Sequence, residues 1–289
     1  MSEKTTYLNL GCGGRYHPAW INIDIVCHDP QVIQHDLRFG IPLPDASCDV
    51  VYHSAVLEHI RRSDVKSFLA ECHRVLKPGG IIRVGVPDLE KICQLYLAKL
   101  DRAVNNDASA ACDYDWILLE LYDQIVREKS GGGMLDYLRQ NPLPNESFVY
   151  ARIGEEGRQL VKALRTSPTH SMPDNHTGLL FRSFLHRIRR EFYSLPGTAK
   201  RYLLRWLLGA NGIQALEIGR FRLGGEVHQW MYDRYSLARL VRQAGFVEPM
   251  LQSATQSWIA NWLDFNLDTQ PDNTIIKPDS LFMEARKPV

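Results

Sequence analysis

The sequence lacks several things that would have narrowed its function at once. It has no Cys-x-x-Cys pair: Cys12, Cys27, Cys48, Cys72, Cys93 and Cys112 are scattered through the first half. Neither a zinc site nor a disulfide framework follows from that spacing, and the pattern assigns no metal ligands. No apolar run approaches the roughly 18 residues of a membrane-spanning helix, and Met1 to Tyr7 is polar, without a basic stretch leading into an apolar one, so a cytoplasmic location is expected. Charge of one sign is not in excess. Lys and Arg number 34 against 33 Asp and Glu, a formal net charge of +1, so a nucleic-acid or anionic-membrane partner cannot be argued from the total. Internal repeats and low-complexity tracts are also absent. What remains is a chain of 289 residues, 45% hydrophobic and 23% charged, which is long enough and apolar enough to pack a core.

The first hundred residues alternate short apolar strands with connections, the pattern of a parallel sheet covered by helices. Strands are predicted at Tyr7 to Leu10, Trp20 to Ile25, Val32 to His35, Cys48 to His53, and Ile81 to Val86 behind the turn Lys77-Pro78-Gly79-Gly80. Asp64 to Leu76 carries Val65, Phe68, Leu69, Cys72, Val75 and Leu76 at helical spacing, with Ser63 as its N-cap. Near the other end, a helix at Ser236 to Ala244 precedes a strand at Phe246 to Leu251, and Ser280 to Arg286 supplies the last strand. The fold class is α/β, a Rossmann-like doubly wound, mostly parallel seven-stranded sheet with a helical insertion. Residues 1–100 and 226–289 form the sheet domain. From 101 to 225 the alternation gives way to helical text broken at Gly131-Gly132-Gly133, a loop or hinge, and at several prolines.

The chemistry begins at the turn Gly11-Cys12-Gly13-Gly14, which leaves the first strand, followed by Asp24 near the end of the second. Glycines let backbone approach a ligand closely, and an acid at that place accepts hydrogen bonds from ribose hydroxyls. With this surrounding text the sequence resembles the class I S-adenosylmethionine-dependent methyltransferases, of the type 11-like branch that carries a Leu-Glu-His signature, here Leu57-Glu58-His59. The likeness covers residues 7 to 90 well and 226 to 287 more loosely. It implies S-adenosyl-L-methionine as cofactor, with Leu10, Gly11, Cys12 and Gly13 at its methionine part, Asp24 at the ribose, Asp36 and Leu37 at the adenine, and His53 and Ser54 in the segment lining the cleft. A dinucleotide-dependent oxidoreductase would share the architecture. Its fingerprint asks for a third glycine where Tyr16 stands and an acid about 20 residues beyond the turn, and Asp24 comes too early.

Two departures from the family pattern are predicted to matter. Only Gly11 to Ala19 separates the first two strands, whereas a parallel crossover takes a dozen residues or more, so the first crossover helix is expected to be missing or reduced to a turn. The first strand also starts at Tyr7, without the N-terminal helices that cap the cofactor in many relatives, so another part of the chain is expected to cover the site.

Methyl transfer to an alcohol needs an aligned oxygen and a base. The candidates at the carboxyl edge of the sheet are His53, Glu58, His59 and Asp88, and His228 precedes the returning helix, where relatives place a substrate-facing histidine. The catalytic set assigned is His228, Asp88 and His59. Each has a structural alternative: Asp88 as the N-cap of the helix that follows, His59 as a packed histidine at a helix start, and His228 with Tyr232 as an anchor for the insertion's exit. Leu179 to Leu208 mixes Arg182, Arg187, Arg189, Arg190, Arg201 and Arg205 with Phe181, Phe184, Phe192, Trp206 and other apolar residues, as two basic amphipathic helices. They fit a lid over the site, with arginines for an anionic substrate, or else a peripheral membrane contact. The expected acceptor is a small molecule, sugar or lipid-linked glycan, methylated on oxygen, and nucleic acid is disfavoured. The alternative is a non-catalytic, cofactor-binding partner subunit.

Overall fold

A computed structural model describes residues 5–27, 29–166 and 197–289. Its centre is a seven-stranded sheet: β1 Tyr7–Leu10, β2 Trp20–Asp24, β3 Val32–Gln34, β4 Cys48–Ser54, β5 Leu76–Pro87, β6 Val247–Gln252 and β7 Ser280–Arg286. The spatial order is β3-β2-β1-β4-β5-β7-β6, with β7 antiparallel to both its neighbours and the other pairings parallel. The predicted doubly wound, mostly parallel sheet is therefore present, and β1 and β7 keep their predicted bounds. β5 starts earlier than predicted because Leu76 already pairs with Cys48, and the glycine turn is absorbed as a register shift before Val50 meets Ile81.

Helix α1, Val65–Val75, buries Val65, Phe68, Leu69, Cys72 and Val75, the three-and-four stripe read from the sequence. Its cap differs from expectation. Asp64 occupies the N-cap without a side-chain bond, and the Ser63 hydroxyl donates to Asp64 Oδ1 at 2.7 Å instead of reaching the helix. At the far end of the chain the returning helix is Arg234–Gln243, opened by a capping box between Asp233 and Ser236. These two helices cover one face of the sheet, with Leu8, Leu10, Ile23, Val51, Ile82, Val84, Leu237 and Val241 in a common core.

The opposite face has no crossover helices between β1 and β3. Residues 11–19 make only turns, as predicted, and no helix forms among the described residues between β2 and β3. The segment between β6 and β7, residues 253–279, lies there instead. It is nearly free of regular structure apart from a 3-10 turn at Trp262–Phe265, and it packs Ile259, Trp262 and Leu267 against Trp20, Val50 and Tyr52. Arg83, fully buried on β5, fastens this segment. All five of its N–H donors are satisfied: Nε and Nη2 donate to Asp268 at 3.0 and 2.8 Å, Nη1 to Glu284 at 2.8 Å, and the Gln256 and Ser253 carbonyls take the remaining two. The guanidinium also lies over the Trp262 ring, 4.4 Å from its centroid.

Between β5 and the returning helix come α2 Leu89–Val104, α3 Ala108–Val126, α4 Gly132–Leu138, α5 Glu146–Thr166 and α6 Gly197–Arg222, and the returning helix Arg234–Gln243 is α7. The glycine triplet is not simply a loop, since Gly131 caps α4 and Gly132 opens it. A second core gathers Ile92, Trp116, Ile117, Leu138, Val149 and Val161. Arg152 on α5 donates to the buried Glu120 carboxylate on α3 at 2.6 Å, which sets where α5 lies. Of the basic amphipathic stretch, Leu179 to Pro196 falls outside the described residues. In its described part Trp206, Leu207 and Leu208 on α6 are exposed. No helix among the described residues is long and apolar enough to cross a membrane.

Candidate functional site

From β1 the chain winds one way across the sheet, and from β4 it winds the other. Beyond the carboxyl ends of such neighbouring strands an α/β sheet opens a crevice. A cavity of about 810 Å³ lies there. Gly11 to Tyr16, Asp24 and Ser54 form its sheet side. Glu156 and Gln159 on α5, with Leu267, Asp268, Ile276 and Lys277 from the β6–β7 segment, close it from above and behind.

The glycine turn folds back on β2 rather than toward the cavity. Gly11 and Cys12 donate their amides to the Ile23 carbonyl at 2.8 and 3.3 Å, and the Gly13 amide donates to Asp24 Oδ2 at 2.8 Å. Asp24 Oδ1 accepts from the Val26 amide at 2.9 Å. Each carboxylate oxygen therefore keeps acceptor capacity for a further donor. Two buried asparagines do the work of the absent helix: Asn9 donates to the Arg15 carbonyl and to Asn22 Oδ1, and Asn22 donates to the carbonyls of His17 and Trp20.

The two glycines of positive φ in this turn have different reasons to be glycine. A Cβ on Gly11 would sit 2.4 Å from Val56 Cγ2, so that position is closed by packing. A Cβ on Gly13, at φ +52°, meets nothing within 4 Å, and Gly13 lines the cavity. Gly13→Ala is accordingly expected to fold, at about 1–2 kcal/mol for the left-handed backbone, and to weaken a ligand lying against the turn about tenfold, equivalent to about 1.4 kcal/mol of lost contact. Calorimetric titration beside thermal melting separates the two, and an unchanged ligand affinity would place the ligand elsewhere.

Of the cofactor residues predicted from sequence, Gly11, Cys12, Gly13, Asp24 and Ser54 line the cavity. Leu10, His53, Asp36 and Leu37 are not in its wall. Strand alternation sends Leu10 to the α1 side, into the core. It sends His53 to the same side, where its ring stands edge-on to Phe68 and burial pushes the imidazole down to about 3. Asp36 caps the 3-10 turn Leu37–Phe39 and pairs with Arg38 at 2.7 Å, while Leu37 packs on the core. The Cys12 thiol is raised to about 12 chiefly by burial, which disfavours the thiolate. Sequence reading missed Asn9, Asp29 with its hydrogen-bond partner Tyr16, Glu156, Gln159, Asp268 and Lys277. For the last four nothing local signals the role, because distant segments carry them to the site.

The catalytic candidates separate in the same way. Asp88 is the N-cap of α2, accepting from the Lys91 amide at 3.1 Å, and does not line the cavity. His59 and His228 come together, their ring centroids 4.7 Å apart, and Glu58 joins them. The backbone holds them there: the Glu58 carbonyl accepts from the Gln229 amide at 2.6 Å, and the His228 amide donates to the Gln124 carbonyl at 2.9 Å. Burial raises the Glu58 carboxyl to about 7 and lowers His59 to about 4. It lowers His228 well below the usual imidazole range, helped by the charges of His59 and Arg127. Both imidazoles are thus neutral near pH 7.

Residues 8–84, from β1 into β5 and including the turn and Asp24, match the family model described as a methyltransferase domain. A Mycolicibacterium smegmatis protein named "probable S-adenosylmethionine-dependent methyltransferase" is 47% identical over 98 residues, covering 28% of this chain and 37% of the relative. A Mycobacterium tuberculosis protein of the same name is 46% identical over 58 residues, 20% of each chain. This chain therefore matches well under half the length of those relatives. Among solved structures, an Archaeoglobus fulgidus SAM-dependent methyltransferase aligns over 99% of this chain and 87% of its own, at 12% identity and a TM-score of 0.36.

Proposed function

We propose that the protein is an S-adenosylmethionine-dependent methyltransferase that methylates an oxygen of a small-molecule or glycan-type acceptor. The observation that carries this reading is the direction of the turn's amides. A dinucleotide places its pyrophosphate on free N–H groups at the start of a helix. Here the amides of Gly11, Cys12 and Gly13 are bonded to β2, and no helix follows the turn. What the turn and β2 offer a ligand is the Asp24 carboxylate, whose spare acceptor capacity suits the hydroxyls of a ribose. In the transfer the methyl carbon leaves sulfur for the acceptor oxygen, and the proton leaves that oxygen. Asp24 orients the ribose and Ser54 stands in the wall of the same cavity, while the group of Glu58, His59 and His228 lies outside that wall.

Calorimetry tests the reading: S-adenosylmethionine and S-adenosylhomocysteine are expected to bind one to one, and NAD not to bind at concentrations that saturate with either. Tighter binding of NAD would reverse the assignment. Incubation with methyl-labelled cofactor and hydroxylated acceptors then tests turnover, and saturable cofactor binding without transfer to any acceptor would favour the partner-subunit alternative.

A further inference from the structure

We propose that Glu58, His59 and His228 form a binding site for one divalent transition-metal ion of the zinc or cobalt kind, beside the cofactor cavity. Two imidazoles and one carboxylate make up the donor set of zinc sites that keep a coordination position open. One donor atom from each residue lies within 4.8 Å of the others. Donors on a tetrahedral ion stand about 3.4 Å apart, so no pair has to close by more than about 1.4 Å, within reach of side-chain rotation.

The arrangement is unlike a hydrogen-bonded acid-base cluster. Glu58 Oε2, His59 Nδ1 and His228 Nδ1 are all buried, and none has a hydrogen-bond partner. The three groups face one another at a spacing too long for a shared proton and suitable for a shared ion. Buried polar atoms without partners are uncommon, and several at one place call for an occupant. The surroundings support one. Since His59 Nδ1 has no partner, the backbone hydrogen bond of this ring to Val227 engages its other nitrogen, the arrangement that orients metal-binding histidines.

The cations near the cluster are themselves paired with acids. Arg127 acts on both imidazoles but is itself held by Asp123 at 2.7 Å and Glu226 at 3.1 Å. Lys277 acts on all three residues and also on Asp279, which in turn faces Glu58. Lys277 also lines the cavity, which sets the cluster close to it. Where the methyltransferase reading holds, an acceptor oxygen takes the open position and becomes more acidic. That consequence rests on the reading, whereas the metal site does not.

Titration of the chelator-treated protein with Co²⁺ is expected to show one equivalent bound, with the visible absorption of four-coordinate cobalt and a rise in Tm. Mg²⁺, which prefers oxygen donors, should produce neither change. His59→Ala and His228→Ala should each lose about tenfold or more in Co²⁺ affinity while still binding S-adenosylmethionine. Failure of the wild-type protein to show absorption and a Tm shift in millimolar Co²⁺ would overturn the site without touching the cofactor assignment, and that result does not depend on any variant folding. Equal Co²⁺ binding by a folded His59→Ala/His228→Ala double variant would overturn it as well. Cobalt binding without cofactor binding would leave the metal site standing and remove the methyltransferase reading.

Discussion

Arg83→Met should lower the free energy of unfolding by about 3–5 kcal/mol, the usual cost of removing one partner of a buried ion pair. The side chain is fully buried, and its two carboxylate partners, Asp268 and Glu284, are as well enclosed. Methionine restores the volume but leaves both acids without their counterion, and Tyr52, which donates to Asp268 at 2.6 Å, cannot compensate a charge. The Glu284 carboxylate keeps only the Ser257 hydroxyl and the Trp258 amide. The loss would extend to the site, because residues 253–279 carry Leu267, Asp268, Ile276 and Lys277 to the cavity wall. Urea melts with an unchanged m-value would measure the first effect and cofactor titration the second. A triple variant, Arg83→Met with Asp268→Leu and Glu284→Leu, should recover most of the stability, since an apolar set of similar volume replaces such pairs at little or no cost. A loss below about 1 kcal/mol for Arg83→Met would mean that packing alone holds the segment.

Asp24→Ala is expected to weaken S-adenosylmethionine binding by about 100-fold or more. Hydrogen bonds to a charged acceptor contribute about 1.5–3 kcal/mol each, and a ribose offers two hydroxyls. The same carboxylate keeps the turn in shape through the Gly13 and Val26 amides, so alanine removes the ligand's partner and loosens the surface on which it rests. Asp24→Asn should fall between wild type and alanine, having one acceptor oxygen where the native residue has two. The fold should survive both changes, because the core beneath contains Leu8, Leu10 and Ile23 and not this side chain. Dissociation constants by calorimetry, with Tm as the control, would check this. Wild-type affinity in Asp24→Ala would remove Asp24 from the site and, with it, the main support for ribose recognition there.

The parts of the molecule legible in the sequence are those whose reasons are local. Tyr7 to Leu10 and Ser280 to Arg286 read as strands because short apolar runs and flanking breakers are written in a few adjacent residues. The missing crossover helix followed from counting nine residues, and the glycine turn with Asp24 lies within one short stretch of chain. The departures from the sequence reading were also local in kind. Ser63 and Asp64 are both competent caps, and only the backbone geometry chose between them. Asp36 and His53 were assigned by position in a family pattern, whereas Arg38 draws Asp36 into a pair and alternation turns His53 away from the cavity.

The sequence by itself thus determined the sheet, the bounds of several of its strands, the glycine turn and the acid beyond it, because hydrophobic periodicity and turn chemistry act between near neighbours. Only the tertiary structure decided what closes the site and what stands beside it. Arg83 looked like one charge in an apolar strand, and its partners lie 185 and 201 residues away. The uncovered sheet face is filled by 253–279, a segment with little period to read. Glu58 and His59 meet His228 because the insertion returns to the edge of β4 before α7 begins. Such meetings depend on where long connections come back, and that is settled by the packing of whole elements rather than by any stretch of residues alone.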